Sequence, residues 1–440
     1  MKIAVIGSGI SGMSAAWLLS QNHDITVYER EGRVGGHSNT FIAAGPRPVP
    51  VDTGFIVYNE HTYPNLTALF DYLGIETAAS DMSFAVSLDG GRLEYSGTGF
   101  SGLFAQQRNL FNPRFWLMLR DLLRFYRETP SHAGKLGLLA LGEFLEREGY
   151  GRAFRDDHLL PMAAAIWSAP ASTLLEYPAE AFIRFCDNHG LLKLADRPRW
   201  RTVKGGSRVY VERLTASYKD RVKTSCGVTS VRRSGNHVTV TDVRGVSRVF
   251  DHVVMASHAD DTLAMLSDPS PMEKNLLCAF RYSVNRAVLH GDESLMPKRR
   301  AVWSSWNYLG ERREANCASQ LCVTYWMNRL QPLATDRQFF VTLNPRHLPE
   351  PGKVLHTQTY AHPVFDGRAL QAQRQLWQLQ GERNTWYCGA YFGAGFHEDG
   401  LQSGLAVAED LDGVHRPWTV ENESSRICRA PLTNRIEVAA

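Results

Sequence analysis

The sequence predicts an α/β protein in which a Rossmann-like dinucleotide-binding domain is interwoven with an α+β second domain, and three observations carry that expectation. The β-type run Lys2-Ile3-Ala4-Val5-Ile6 feeds Gly7-Ser8-Gly9-Ile10-Ser11-Gly12 and an apolar helix, and Ile25-Thr26-Val27-Tyr28-Glu29 follows as a second strand. Later segments beginning at Val203 and Thr385 return to short strands beside glycine turns and helices. A chain of 440 residues, 44% of them hydrophobic, exceeds what one core usually holds, so two domains are the default.

In the first segment Gly7 permits the tight turn, Gly9 lets backbone approach a pyrophosphate, and Gly12 brings helix and strand close. The helix then opens on the anion with free N–H groups, and Ser11 lies in its first turn. Glu29 lies twenty residues after Gly9, where it would accept hydrogen bonds from the ribose hydroxyls of an adenosine and repel a ribose phosphate. The second segment runs from Val203-Lys204-Gly205-Gly206-Ser207 through a helix, Val209 to Lys219, into a hairpin and a return to the sheet at Val253. The third is Thr385-Trp386-Tyr387-Cys388-Gly389-Ala390, a glycine-rich loop to Gly400, and a small-residue helix from Leu401 to Leu411. The expected domains are therefore 1–75, 200–270 and 381–425 for the nucleotide, 76–199 (helix-rich) and 271–380 (β-rich) for the substrate, and a tail at 426–440.

Composition excludes several classes. A net charge of +3, from 48 basic and 45 acidic residues, argues against a nucleic-acid binder. The seven cysteines (Cys186, Cys226, Cys278, Cys317, Cys322, Cys388 and Cys428) form no CxxC and point to a reduced, cytoplasmic setting. No segment offers the ~18 uninterrupted apolar residues of a membrane span, and the N-terminus lacks a basic leader with a cleavage site. A metal site is not expected at His397-Glu398-Asp399, which lacks HExxH spacing.

After Glu29 comes Arg30-Glu31-Gly32-Arg33-Val34-Gly35-Gly36-His37, and with this second glycine pair the chain resembles the flavin amine oxidase, phytoene desaturase and protoporphyrinogen oxidase superfamily. The resemblance implies noncovalent FAD, with Arg30, Arg33, Gly35, Gly36 and His37 along its phosphates and ribityl chain. Val51-Asp52-Thr53-Gly54-Phe55-Ile56-Val57 resembles the element whose backbone, at Gly54, Phe55 and Ile56, passes the pyrimidine side of the flavin; taken alone it reads as a type II turn. Val228 resembles the position whose backbone meets the adenine. Gly389-Ala390-Tyr391-Phe392-Gly393-Ala394-Gly395-Phe396-His397-Glu398-Asp399-Gly400-Leu401 resembles the C-terminal element, which implies Gly389, Glu398 and Asp399 against ribityl and phosphates. Gly400 and Leu401 would begin a helix whose dipole faces the flavin ring.

The runs VDTGFIVYNEHTYPNL and GFHEDGLQSGLAVAE resemble a bacterial branch of this superfamily that travels with cyclopropane-fatty-acid-synthase-like methyltransferases. One line of that branch desaturates methylated acyl chains during furan fatty acid synthesis. The resemblance implies an oxidoreductase that desaturates an acyl lipid, such as a methylated unsaturated chain of a phospholipid, by hydride transfer to flavin N5, with a lipid methyltransferase as partner. Other readings stay open: oxidation of an amine or polyisoprenoid, or a noncatalytic flavin-binding partner of the methyltransferase. Against an amine, the run 282–290, matched by eye to the strand that carries the amine oxidases' lysine, contains none. Tyr58 and His397 are the candidate proton acceptors, and His258 is expected to position a strand end.

Trp167, Trp303, Trp306, Tyr308, Tyr325 and Trp326 concentrate aromatic residues in the non-nucleotide segments, as an apolar tunnel or as plain core. At 112–127 the sequence predicts a helix with Asn112 as N-cap, Pro113 at the first position and Phe111 stapled onto Trp116. Phe115, Met118, Leu122, Phe125 and Tyr126 share one face, and Arg120, Arg124 and Arg127 oppose it. The helix either docks peripherally on an anionic inner membrane and opens toward an acyl tunnel, or packs on the substrate domain with solvated arginines.

Overall fold

A computed structural model describes residues 1–132, 134–169, 171–193, 196–311 and 322–429. Cys317 and the tail beyond residue 429 lie outside the described residues. Lys2–Ile6 (β1), Ile10–Leu19 (α1) and Asp24–Tyr28 (β2) form the expected strand, helix and strand. Val222–Lys223 (β3), His252–Met255 (β4) and Thr385–Tyr387 (β5) join them in a five-stranded parallel sheet of order β3-β2-β1-β4-β5. Ile3, Ala4 and Val5 are fully buried, as a parallel strand covered on both faces requires.

All ten residues of α1 are buried, because the C-terminal helix His397–Asp412 (α2) lies along it. A Cβ at Gly404 would overlap the Ser11 carbonyl and the Ser14 hydroxyl, so only glycine admits this near-backbone contact. The helix starts at His397 rather than Leu401 because the Asp399 carboxylate accepts the Phe396 N–H at 2.7 Å and closes its first turn.

The second sheet has seven strands in the order Val354–Val364, Arg281–His290, Phe340–Leu343, Val323–Trp326, Trp306–Gly310, Phe84–Leu88 and Leu93–Ser96. Strands from 84–96 thus sit in the stretch expected to be helix-rich, alongside the helices of 113–188. The hairpin Val228–Ser234 and His237–Asp242 extends into a three-stranded antiparallel sheet before the chain returns through β4. The helix expected over 209–219 ends at Thr215, and a separate 3₁₀ turn, Lys219–Arg221, leads into β3.

Helix Pro113–Glu128 begins where Asn112 and Pro113 place it, with the Asn112 side chain accepting from the Arg114 N–H at 3.1 Å. The staple differs. Phe111 is 86% exposed, while Trp116 stacks toward Phe104 at 5.6 Å and donates to the Leu110 carbonyl. Leu122 and Tyr126 pack half-buried against the core as expected, and Asp121 joins Phe115, Met118 and Phe125 on the fully buried face, its carboxylate accepting from Arg120 and from the Gly151 N–H.

One buried ion pair ties the hairpin sheet to the nucleotide sheet. Arg233 forks onto Glu273 with two contacts of 2.9 Å, and the Tyr387 hydroxyl of β5 donates to the same carboxylate. Removing one partner strands the other charge in the interior. Arg233→Met is expected to cost about 3–5 kcal/mol in urea unfolding, and the added change Glu273→Leu to restore most of it.

Candidate functional site

A cavity of about 970 Å³ lies where loops of the parallel sheet meet the seven-stranded sheet. Its nucleotide wall includes Gly7, Ser8, Gly9, Ser11, Glu29, Arg30, Arg33 and Gly36. At the N-terminus of α1, Gly9 has no side-chain cap, and a Cβ on it would meet nothing within 4 Å. An uncapped helix N-terminus beside such space is a cradle for an anion. Gly36 approaches Gly9 closely enough that its own Cβ would lie 3.0 Å from the Gly9 Cα. Arg33 pairs with Glu31 through one guanidinium nitrogen, and the other is buried without a partner among the described residues.

Glu29 ends β2 with its carboxylate fixed. One oxygen accepts from the Ser8 N–H at 3.0 Å and from the Ser8 hydroxyl, and the other from the Glu31 N–H at 2.8 Å. The oxygen that accepts only from Glu31 keeps a further lone pair for a ribose hydroxyl. Val228 also lines the cavity. These residues fit a dinucleotide on an observation independent of the motif: an open cradle, an uncapped helix and a preset carboxylate border one space.

Gly12 and Gly35 do not line it. A Cβ at Gly12 would overlap the Gly7 carbonyl, so its function is close packing of α1 on the strand; the Gly35 N–H donates to the Ser8 carbonyl and holds the two glycine loops together. His37, Gly54, Phe55, Ile56 and Gly389 do line it. Glu398, Asp399, Gly400 and Leu401 are turned away. Glu398 is fully buried and accepts from the backbone N–H groups of Asn65 and Leu66, capping a different helix, Pro64–Tyr72. Asp399 is likewise buried and pairs with Arg426 at 2.6 Å. Gly400 faces Ile10, and Leu401 is core. With the helix starting at His397, its cavity-lining end is Gly395, Phe396 and His397.

Of the two proton-acceptor candidates, Tyr58 lies outside the cavity lining. Its strand pairs with Trp200–Val203, and its ring packs edge-on against Tyr63 and Phe70. His397 lines the cavity, stacked on Phe55 at 3.9 Å, but its Nε2 is engaged by the Tyr210 hydroxyl at 2.6 Å. Burial lowers its pKa to about 3. It is a neutral, anchored ring and a weak base.

Strand Val354–Val364 supplies residues missed in the sequence. The alternation His356, Gln358, Tyr360, His362 puts polar and aromatic groups on one face, which is the signal that was available. Gln358, Tyr360 and His362 line the cavity. The Tyr360 hydroxyl bridges Asn39 and Thr53. His362 ends a directional relay. The Arg286 N–H can only donate, and it donates to Asn344 Oδ1 at 2.8 Å. Asn344 Nδ2 then donates to Asn285 Oδ1 at 2.7 Å, and Asn285 Nδ2 meets His362 Nδ1 at 2.9 Å. Nδ1 must therefore accept, and the imidazole proton sits on Nε2. Burial, then His258, lowers the His362 pKa to about 4, so the ring stays neutral. Its side chain offers a donor, not a base. His258 lies beside His37 and stacks on Tyr282 at 4.3 Å, also on the cavity wall.

The remaining wall is mostly apolar: Met82, Ile166, Trp167, Phe185, Leu191, Trp200, Trp306, Tyr325 and Leu343, with Ser168 and a neutral His189 among them. Trp303, Tyr308 and Trp326 do not line it. Among the described residues no lysine or cysteine is in the lining, and its carboxylates, Glu29, Glu31 and Asp261, all lie on the nucleotide side. No residue of helix Pro113–Glu128 lines it either.

Residues 10–412 match the family model for flavin-containing amine oxidoreductases. A putative flavin-containing monoamine oxidase, AofH, of Mycobacterium tuberculosis is 26% identical over 281 residues, 62% of this chain and 60% of that relative's length. Among solved structures, a variant of putrescine oxidase superposes with a TM-score of 0.68 at 16% identity, over 94% of this chain and 98% of that one. A fatty acid isomerase from P. acnes that produces CLA superposes with a TM-score of 0.64 at 18% identity, over 93% and 97%.

Two outcomes are expected from the site's electrostatics. Burial holds His158, His290 and His362 at about 4 and His189 and His397 at about 3, whereas an unfolded histidine titrates near ~6.5. Below that value the unfolded chain takes up protons that the fold refuses, so stability is lost as pH falls from ~6.5 toward ~4, on the order of 3 kcal/mol per histidine. Asp52, raised to about 6 by burial, opposes this by gaining stability as pH falls through 6, but it is one group against five. Urea midpoints of the cofactor-free protein should be level from about pH 7 to 8 and drop steeply toward pH 5. In ¹⁵N spectra His362 should show a protonated Nε2 and an unprotonated Nδ1. Asn344→Gly, which suits that residue's φ of 48°, should mix the two tautomers.

Proposed function

Since the chain belongs to the flavin-containing amine oxidoreductase family, we propose that it works as an FAD-dependent oxidoreductase that dehydrogenates an acyl lipid. FAD fits the site: the cradle at Gly9 and Gly36, the preset Glu29 and the flavin-facing candidates His37 and Gly54 to Ile56 border one cavity. Among the described residues no cysteine lines the cavity, in keeping with a noncovalent cofactor. Bound FAD supplies a hydride acceptor.

The observation that carries the substrate class is the largely apolar wall, which among the described residues holds no carboxylate. A protonated amine entering between Ile166, Phe185, Trp306 and Leu343 would shed its hydration with no acid to pair it, at a cost of several kcal/mol. An alkyl chain loses nothing polar there and gains roughly 25 cal/mol for each Å² it buries. The Nε2–H of His362 favours an acyl lipid over a polyisoprenoid hydrocarbon, because a carbonyl oxygen can accept from it and a bare hydrocarbon cannot. His397, held by Tyr210 and stacked on Phe55, orders the wall without taking a proton. The resemblance of VDTGFIVYNEHTYPNL and GFHEDGLQSGLAVAE to a branch that includes desaturases of methylated acyl chains favours a methylated unsaturated chain as the finer identity, with a lipid methyltransferase as its source.

The test is the visible spectrum of the FAD-loaded protein under anaerobic conditions. Phospholipid carrying methylated unsaturated acyl chains is expected to bleach the flavin band, with the new double bond found in the recovered lipid. Putrescine and phytoene are expected to leave the band unchanged. Bleaching by the amine or the polyisoprenoid alone would overturn the substrate class, and a flavin that no lipid bleaches would leave the noncatalytic partner as the reading.

A further inference from the structure

We propose that the loop and helix spanning residues 99–132 form a docking surface for an anionic lipid bilayer. Phe111 and Phe100, 86% and 83% exposed, are the two most exposed large apolar side chains among the described residues. Leu110, Trp116 and Leu117 beside them in the chain are 45–48% exposed. Contacts join them: Phe100 stacks toward Phe104 at 6.4 Å, Phe104 meets Trp116 at 5.6 Å, and the Trp116 indole N–H donates to the Leu110 carbonyl at 2.9 Å, with Phe111 and Leu117 the chain neighbours of Leu110 and Trp116.

This exposure is built, not slack. Asn109 is fully buried and donates to the Glu94 carbonyl, and Gln106, 2% exposed, accepts from the Glu94 N–H and donates to the Gly91 carbonyl. Two buried amides thus clamp the loop to strand Leu93–Ser96 and hold Phe100, Leu110 and Phe111 outward. A contiguous exposed apolar patch on a rigid support marks a surface that something covers.

The charge around the patch selects the occupant. Residues 99–132 hold five basic residues, Arg108, Arg114, Arg120, Arg124 and Arg127, with Lys135 just beyond, against two acidic ones, in a chain whose whole net charge is +3. Asp121 pairs with Arg120, Glu128 with Arg124 and Arg127, and the buried Asp157, outside this segment, with Arg114; the surface keeps a net positive charge, and among the described residues Arg108 and Lys135 face no acid. Exposed aromatic and aliphatic side chains ringed by arginines suit the boundary between acyl chains and anionic headgroups. A second copy of this chain is disfavoured, because a symmetric contact would place two like-charged patches face to face. The surface does not depend on the identity of the cavity's substrate: none of Phe100, Leu110, Phe111, Trp116 and Leu117 lines the cavity.

Co-sedimentation of the FAD-loaded protein with vesicles of phosphatidylglycerol and phosphatidylethanolamine (3:7) tests the proposal. The wild-type protein should bind them, with binding reduced by added salt and much weaker on phosphatidylcholine alone. Phe100→Ser/Phe111→Ser and Arg108→Gln/Arg127→Gln should each weaken binding by about tenfold or more while leaving the flavin spectrum and urea midpoint unchanged. Binding that is equal for the wild type and both variants, or equal on anionic and neutral vesicles, would overturn it. So would a concentration-dependent dimer in light scattering that Phe100→Ser/Phe111→Ser converts to monomer while vesicle binding is unaffected.

Discussion

The structure depends on the contact between α1 and α2, where Gly404 lies against the Ser11 carbonyl and the Ser14 hydroxyl. These helices are nearly four hundred residues apart in the chain, yet their backbones touch at a distance no side chain permits. The contact brings the start of α1, at Gly9, and the start of α2, at His397, to the wall of one cavity. Gly400, facing Ile10, extends the same seam. A nucleotide cradle written in the first forty residues is thereby completed by residues near the other end of the chain. Ser403 adds to this by bonding both the N–H and the carbonyl of Gly389, so the loop after β5 is set by the helix that follows it.

Burial governs the chemistry of the cavity more than charge does. Desolvation is the largest cause of the lowered pKa of His37, His258, His362 and His397. Four imidazoles on one wall would repel one another if charged; kept neutral, they act as oriented dipoles and ring surfaces. The orientation comes from unambiguous neighbours. An N–H of the backbone sets Asn344, Asn344 sets Asn285, and Asn285 sets His362. A directional donor on a mostly apolar wall is the pattern expected of a site that must align a long, weakly featured molecule.

The nucleotide half was legible because its chemistry is backbone chemistry: glycine spacing, a strand on either side and an acid at the second strand end are all written in consecutive residues. The Asn112 cap was legible for the same reason. What was not legible depended on pairing partners far away in the chain. Tyr58 follows a cavity-lining residue, Val57, but its strand pairs with Trp200–Val203, and the alternation sends the phenol into core packing. Phe111 was spaced to staple Trp116, yet the indole found Phe104 and the Leu110 carbonyl instead. His362 was readable in principle from the alternation along its strand, but its tautomer required Asn344, on another part of the sheet.

Glu398 and Asp399 show how a correct neighbourhood can carry a different function. Both lie in the first turn of α2, where a helix dipole favours carboxylates, and both are fully buried. Glu398 caps the helix Pro64–Tyr72, and Asp399 closes its own helix's first turn and pairs with Arg426. The positive end of α2 is therefore already answered by two acids of its own turn, whereas α1 has none and no side-chain cap. The dipole left free for an anion is that of α1. The α2 end instead offers a neutral histidine, two aromatic rings in stack and backbone from Gly395 to His397. The two helix starts are thus not equivalent: one is suited to phosphate, the other to a flat, uncharged ring system and the apolar chain beside it.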